Sequence, residues 1–88
     1  MTRIKDPQAI LDYNIDWNDW LINGDTISSS SWTLSTGITL QSSSVTDGVT
    51  TAWISGGTLG TTYYATNRID TTQGRREERT ITLIIEDK

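Results

Sequence analysis

Along Leu11-Asp12-Tyr13-Asn14-Ile15-Asp16-Trp17 apolar and polar residues alternate without a break. A period of two is the pattern of a β-strand with one face on a core and the other in water. A surface helix would instead repeat its apolar residues every three or four positions. The run commits the chain to a sheet whose buried face carries Leu11, Tyr13, Ile15 and Trp17. The other segments fit the same architecture. Thr and Ile, which suit pleated half-buried surfaces, are plentiful, four Trp and three Tyr supply the aromatic bulk, and Leu and Ala are too sparse for a helical bundle.

Turn signals divide the chain into short strands. Strands are expected over residues 9–17, 26–34, 38–42, 49–55, 61–71 and 76–86. One helical turn is expected at Asn18-Asp19-Trp20-Leu21, folding Trp20 and Leu21 back on the core. Asn23-Gly24-Asp25, Thr36-Gly37, Asp47-Gly48 and Gln73-Gly74 are turns, and Asp47-Gly48 is a hairpin signal. In the second strand Ile27 has the opposite parity to Trp32 and Leu34, which predicts a bulge within residues 28–31, since one extra residue flips the faces. Tyr63, three residues after Gly60, stands where immunoglobulin-like sandwiches place a tyrosine that bonds back to the preceding corner. The expected fold is all-β, an immunoglobulin-like β-sandwich of about six to seven antiparallel strands. Residues 1–88 form one domain, with 1–5 a mobile arm.

Composition excludes several functions. The formal net charge of −4 disfavours nucleic acid, which needs clustered cations to replace counterions. No apolar run approaches the ~20 residues of a membrane helix, and the start has no apolar segment of a signal peptide. Cys and His are absent, so disulfides, thiolate metal sites, the commonest general base and the best thiol nucleophile are missing. Gly-x-Ser-x-Gly does not occur. Glu77 and Glu78 are adjacent on a strand and face opposite sides, among Arg75, Arg76 and Arg79 that hold them ionised. Asp12-x-Asn14-x-Asp16 matches half a calcium loop, but Trp17 replaces the required Gly and Asn23 the bidentate Glu. Gly56-Gly57-Thr58-Leu59-Gly60 lacks the Lys and the following helix of a phosphate loop. No enzymatic activity, cofactor or metal is expected.

Association is the remaining class. Trp53 has the opposite parity to Ala52 and Ile54, so it faces away from the core, where a tryptophan marks a protein interface or a sugar platform. Arg68, Arg75, Arg76 and Arg79 concentrate the positive charge late in an acidic chain. They are read either as a solvated face or as forks gripping carboxylates on a neighbouring protein. On the second reading, charge reversal at Arg75 and Arg76 leaves the isolated fold intact.

Leu11-Asp12-Tyr13…Asp16-Trp17…Trp20-Leu21…Gly24-Asp25-Thr26-Ile27 and Gly56-Gly57-Thr58…Gly60-Thr61…Tyr63…Thr66-Asn67-Arg68 resemble a family of small phage virion proteins described as fiber–tail adaptors. The resemblance covers nearly the whole chain. It implies an immunoglobulin-like fold, no catalytic residues, and a structural role joining fibers or neighbouring proteins to the tail. The partners it implies are other phage structural proteins, of tail or fiber and possibly capsid, met in multiple symmetric copies in a virion assembled in the host cytoplasm. A capsid decoration protein and a carbohydrate-binding sandwich are the alternatives.

Overall fold

At Asp47-Gly48 both residues take positive φ, 50° and 79°, the turn geometry whose twist matches that of the two strands it joins. In the computed structural model, which describes residues 2–86, such turns separate seven strands. They are β1 (Thr2–Lys5), β2 (Leu11–Asp16), β3 (Ile27–Leu34), β4 (Ile38–Thr46), β5 (Val49–Gly56), β6 (Thr62–Thr71) and β7 (Arg76–Ile85). One sheet has the order β1-β7-β6-β3 and the other β2-β5-β4. This is the two-sheet arrangement of an immunoglobulin-type sandwich, with the first strand joined to the sheet that holds the last. The body is elongated, 43 × 19 × 17 Å.

The alternation of the opening run is realised on β2. Tyr13, Ile15 and Trp17 are buried, and Asp12, Asn14 and Asp16 face water. After β2 one turn forms as expected: the amides of Trp20 and Leu21 both donate to the Trp17 carbonyl. The predicted bulge lies between Ile27 and Ser29, where the pairing of β3 with β6 shifts. A second, unpredicted bulge falls between Leu40 and Ser42 on β4. That strand runs on to Thr46, beyond the expected end at 42, because the tight hairpin keeps its serine run in register with β5.

Two expectations need correction. Residues 2–5 are not a loose arm: they pair with β7 from Thr2↔Thr82 to Lys5↔Ile85, and Met1 lies outside the described residues. The same pairing is parallel, so the sandwich is not wholly antiparallel. The arm is fixed at its end by Lys5, which is fully buried. Its Nζ donates to the carbonyls of Asp6 (2.9 Å) and Gly56 (2.7 Å), and burial holds its pKa below the ordinary lysine value. A buried ammonium is tolerable only when its protons find such acceptors.

The core lies between the sheets: Tyr13, Ile15, Trp17, Ile38, Ala52, Ile54, Tyr63, Ala65, Ile69, Ile81, Leu83 and Ile85. The Thr58 amide donates to the Tyr63 hydroxyl at 3.0 Å, so the expected corner forms. Gly37 is required beside it. With φ at 111°, a Cβ there would sit 2.7 Å from the Tyr63 ring.

At the centre of the core is a polar tie between the sheets. Trp17 Nε1 donates to Asn67 Oδ1 (3.0 Å) and to Thr50 Oγ1 (3.3 Å), and the Thr50 hydroxyl donates to the same Asn67 oxygen at 2.6 Å. Asn67 Nδ2 donates to Ser30 Oγ and the Ser31 carbonyl. Every polar atom of the Asn67 side chain is therefore paired, the condition under which a buried polar network specifies a fold. It bridges the sheets as the disulfide does in antibody domains.

Candidate interaction site

Strand parity sorts the four arginines into two pairs. On β6 and β7 the even-numbered residues point outward, and there Arg68 pairs with Glu78 (2.8 Å) and Arg76 with Asp70 (2.6 Å). The Arg76 hydrogen bond holds the Asp70 carboxyl below the usual carboxylate value. These pairs are solvated and contribute little to stability. The odd-numbered Arg75 and Arg79 continue the inward parity of Ile81, Leu83 and Ile85 past the end of the core, so their guanidiniums close over indoles.

Arg79 Cζ stands 4.3 Å from the centroid of the Trp17 ring and Arg75 Cζ 3.8 Å from that of Trp20. The two indoles meet edge to face, 5.7 Å apart at 71°. Each guanidinium also faces an aspartate: Arg79 reaches Asp19 at 3.6 Å and Arg75 reaches Asp25 at 3.9 Å. Asp25 has a fully buried side chain. Its Oδ1 accepts from the Thr26 amide, the Thr72 hydroxyl and the Gln73 amide, tying the first turn to the β6–β7 hairpin. Burial pushes its pKa up, but hydrogen bonds from Thr71, Gln73, Thr72 and Thr26 outweigh it and hold the carboxyl below its usual value. Arg75 and Arg79 are thus engaged within the fold, which argues against an intact isolated fold on charge reversal at Arg75.

The outer face of β2-β5-β4 is different. Trp53 lies 42% exposed, as its parity predicts, beside Asp12 on β2 and Ser42 on β4. Around it are Asn14, which accepts from the Thr51 hydroxyl at 2.6 Å, and Gln41, which donates to Ser55. Asp16 accepts from the Asn18 amide and side chain, and these bonds hold its pKa low. Asp12, Asn14 and Asp16 line one strand, and among the described residues no group of three or more acidic, His or Cys side chains is placed to hold a metal ion.

The opposite outer face carries Ile4 and Tyr64, both exposed, Ile4 opposite Ile84 and Tyr64 opposite Thr82 on β7. Trp53 is therefore on one face, Arg68 and Arg76 on the other, and Arg75 and Arg79 at one end; the five residues singled out in the sequence form no single site. Asn67 and the arginine covers on Trp17 and Trp20 escaped sequence reasoning. The signal was present, because Asn67 shares its parity with Tyr63, Ala65, Ile69 and Thr71, all buried.

The chain is a small all-β sandwich with a closed core and uncovered apolar side chains on both outer faces. Residues 5–84 match the family of the podophage GP4 fiber-tail adaptor protein gp77, and the chain belongs to that family. It is a structural, tail-associated phage component, and its setting is the virion, among tail and fiber proteins. No curated protein matches the chain.

Proposed function

We propose that this chain is a non-enzymatic adaptor that bridges fiber and tail through its two outer sheet faces. One observation carries the reading: each face leaves bulky apolar side chains uncovered, Trp53 on β5 and Ile4 with Tyr64 across β1 and β6. An element that joins two proteins needs two such surfaces, and a sandwich presents them back to back. Trp53 is the anchor of one face, and Arg68 and Arg76 border the other. The module takes its place in several symmetric copies, assembled in the host cytoplasm. The net charge of −4 keeps it from nucleic acid. With no His and no Cys, the chain has little for chemistry to use.

Photo-cross-linking side chains at positions 53 and 64 test this in assembled particles. The expected outcome is two different adducts, one to a fiber component and one to a tail component. Adducts to one and the same protein, or to a capsid protein, refute the bridging role.

A further inference from the structure

The span from Asp6 to Asn67 contains no Lys and no Arg. The sheet β2-β5-β4 is drawn wholly from this span. The charged side chains of its strands are Asp12 and Asp16, and neither makes an ion pair among the described residues. Among the described residues the cations lie on other elements, and five of them are engaged within the chain. Arg68, Arg75, Arg76 and Arg79 are in ion pairs and Lys5 is buried on two carbonyls. Arg3 sits on β1 in the other sheet. The outer face of β2-β5-β4 is thus an acidic surface around one exposed indole, with no cation in its strands.

The chain itself shows what such a pairing accepts. Twice a tryptophan and an aspartate share one arginine: Trp17 and Asp19 hold Arg79, and Trp20 and Asp25 hold Arg75. In both, the guanidinium lies over the indole with the carboxylate at ion-pair distance, 3.6 and 3.9 Å, while one N–H donates to a backbone carbonyl, a combination open to Arg and poorly matched by Lys. Trp53 and Asp12 are a third tryptophan–aspartate pair. They are direct partners in the β2–β5 register, both outward, so their Cβ atoms are within ~5.5 Å. Among the described residues no guanidinium lies over that ring.

We propose that Trp53 and Asp12 form an arginine-accepting docking point, where a guanidinium from a basic surface of a neighbouring virion protein stacks on the indole and pairs with the carboxylate. The proposal rests on the adaptor reading and specifies the chemistry of one of its two faces. Ser42, Thr51 and Asn14 around the pair are short and uncharged, leaving the indole open to a flat group.

The test uses particles purified from a phage lacking this chain, to which the purified full-length protein is added at graded salt. Wild-type protein is expected to bind, less at higher salt. Asp12→Lys is expected to abolish binding, and Trp53→Ala to weaken it roughly tenfold or more. Asp12→Asn weakens it less and flattens the salt dependence. Unchanged melting temperatures of the variants exclude misfolding, and any variant that does melt lower is replaced by Trp53→Leu or Asp12→Ser. Binding of Asp12→Lys equal to wild type overturns the arginine pairing, whether Trp53→Ala still weakens an apolar or sugar contact or has no effect. If wild-type protein fails to bind at all, the adaptor reading fails instead, so the two failures are distinct.

Discussion

Trp17 and Trp53 are the same residue on the same sheet side of the sandwich, one just past β2 and the other within β5, and their surroundings are opposites. Trp17 is fully buried, its indole nitrogen bonded to Asn67 and Thr50 and its ring covered by Arg79. Trp53 is 42% exposed, and among the described residues no arginine covers it. Two of the four tryptophans, Trp17 and Trp20, are satisfied internally by arginines that the sequence supplies late, at Arg79 and Arg75. The comparison teaches that one local arrangement serves stability where the chain completes it and recognition where it does not.

The contrast breaks most visibly at Trp17. Trp17→Ala is expected to cost ~3–5 kcal/mol, since it empties the largest core position and removes one donor from the Asn67–Thr50 tie. Against the 5–15 kcal/mol typical of a small domain, the variant should be largely unfolded or melt far lower. A melting temperature equal to wild type in calorimetry would show that the polar tie carries no stability. Asn67→Ala comes next, at roughly 2–3 kcal/mol, because it removes the acceptor that Trp17 and Thr50 share and leaves their donors buried. Chemical denaturation measures it, and a loss below ~0.5 kcal/mol would contradict the reading.

The arginines sharpen the comparison within one hairpin. Arg75→Glu removes a guanidinium from Trp20 and sets a carboxylate toward buried Asp25, for an expected loss of about 1–2 kcal/mol. Arg76→Glu should shift the melting temperature less, since its pair with Asp70 lies in water. Equal shifts would mean that parity does not divide these neighbours.

Asp25 adds a pH signature. Its folded-state pKa is lowered, so its contribution is present at pH values above the unfolded carboxyl value, ~3.9, and is lost as pH falls through the lower folded value. Melting temperature should therefore decline as the solution is acidified below the ordinary carboxylate range. Asp25→Asn should flatten that decline, with the remainder due to Asp16 and Asp70, whose values are also lowered. An unchanged acid slope in Asp25→Asn would remove Asp25 from the account.

The sequence exposed whatever follows from period two and from turn chemistry. The β2 pattern, the β3 bulge, the Asp47-Gly48 hairpin, the Tyr63 corner and the outward Trp53 are all read from neighbours a few residues apart. It hid what depends on residues far apart in the chain. Thr2-Arg3-Ile4-Lys5 has no pattern that announces a parallel partner some eighty residues away. Arg75 and Arg79 look like members of one basic cluster with Arg68 and Arg76 until strand register assigns them to Trp20 and Trp17. Asn67 looks polar and so exposed, although its parity is that of the core. The partners of Trp53 are hidden more deeply still, because the proposed contact is completed by another chain.

The smallest expected effect is also the one that closes the comparison. Trp53→Ala should leave the stability of the isolated protein within about 0.5 kcal/mol, the range for surface positions free of special features. What it loses is small: part of one ring's contact with neighbours and some strand propensity on β5, which is the central strand of its sheet. It makes no hydrogen bond or aromatic pair that the fold needs, unlike Trp17. Urea unfolding should show a midpoint close to wild type and an unchanged slope, since the same surface is exposed on unfolding. A loss approaching that of Trp17→Ala would make Trp53 part of the architecture and weaken the case for it as a contact. Near-zero cost combined with lost particle binding would separate the two tryptophans by function, one holding the sandwich closed and the other holding it to its neighbour.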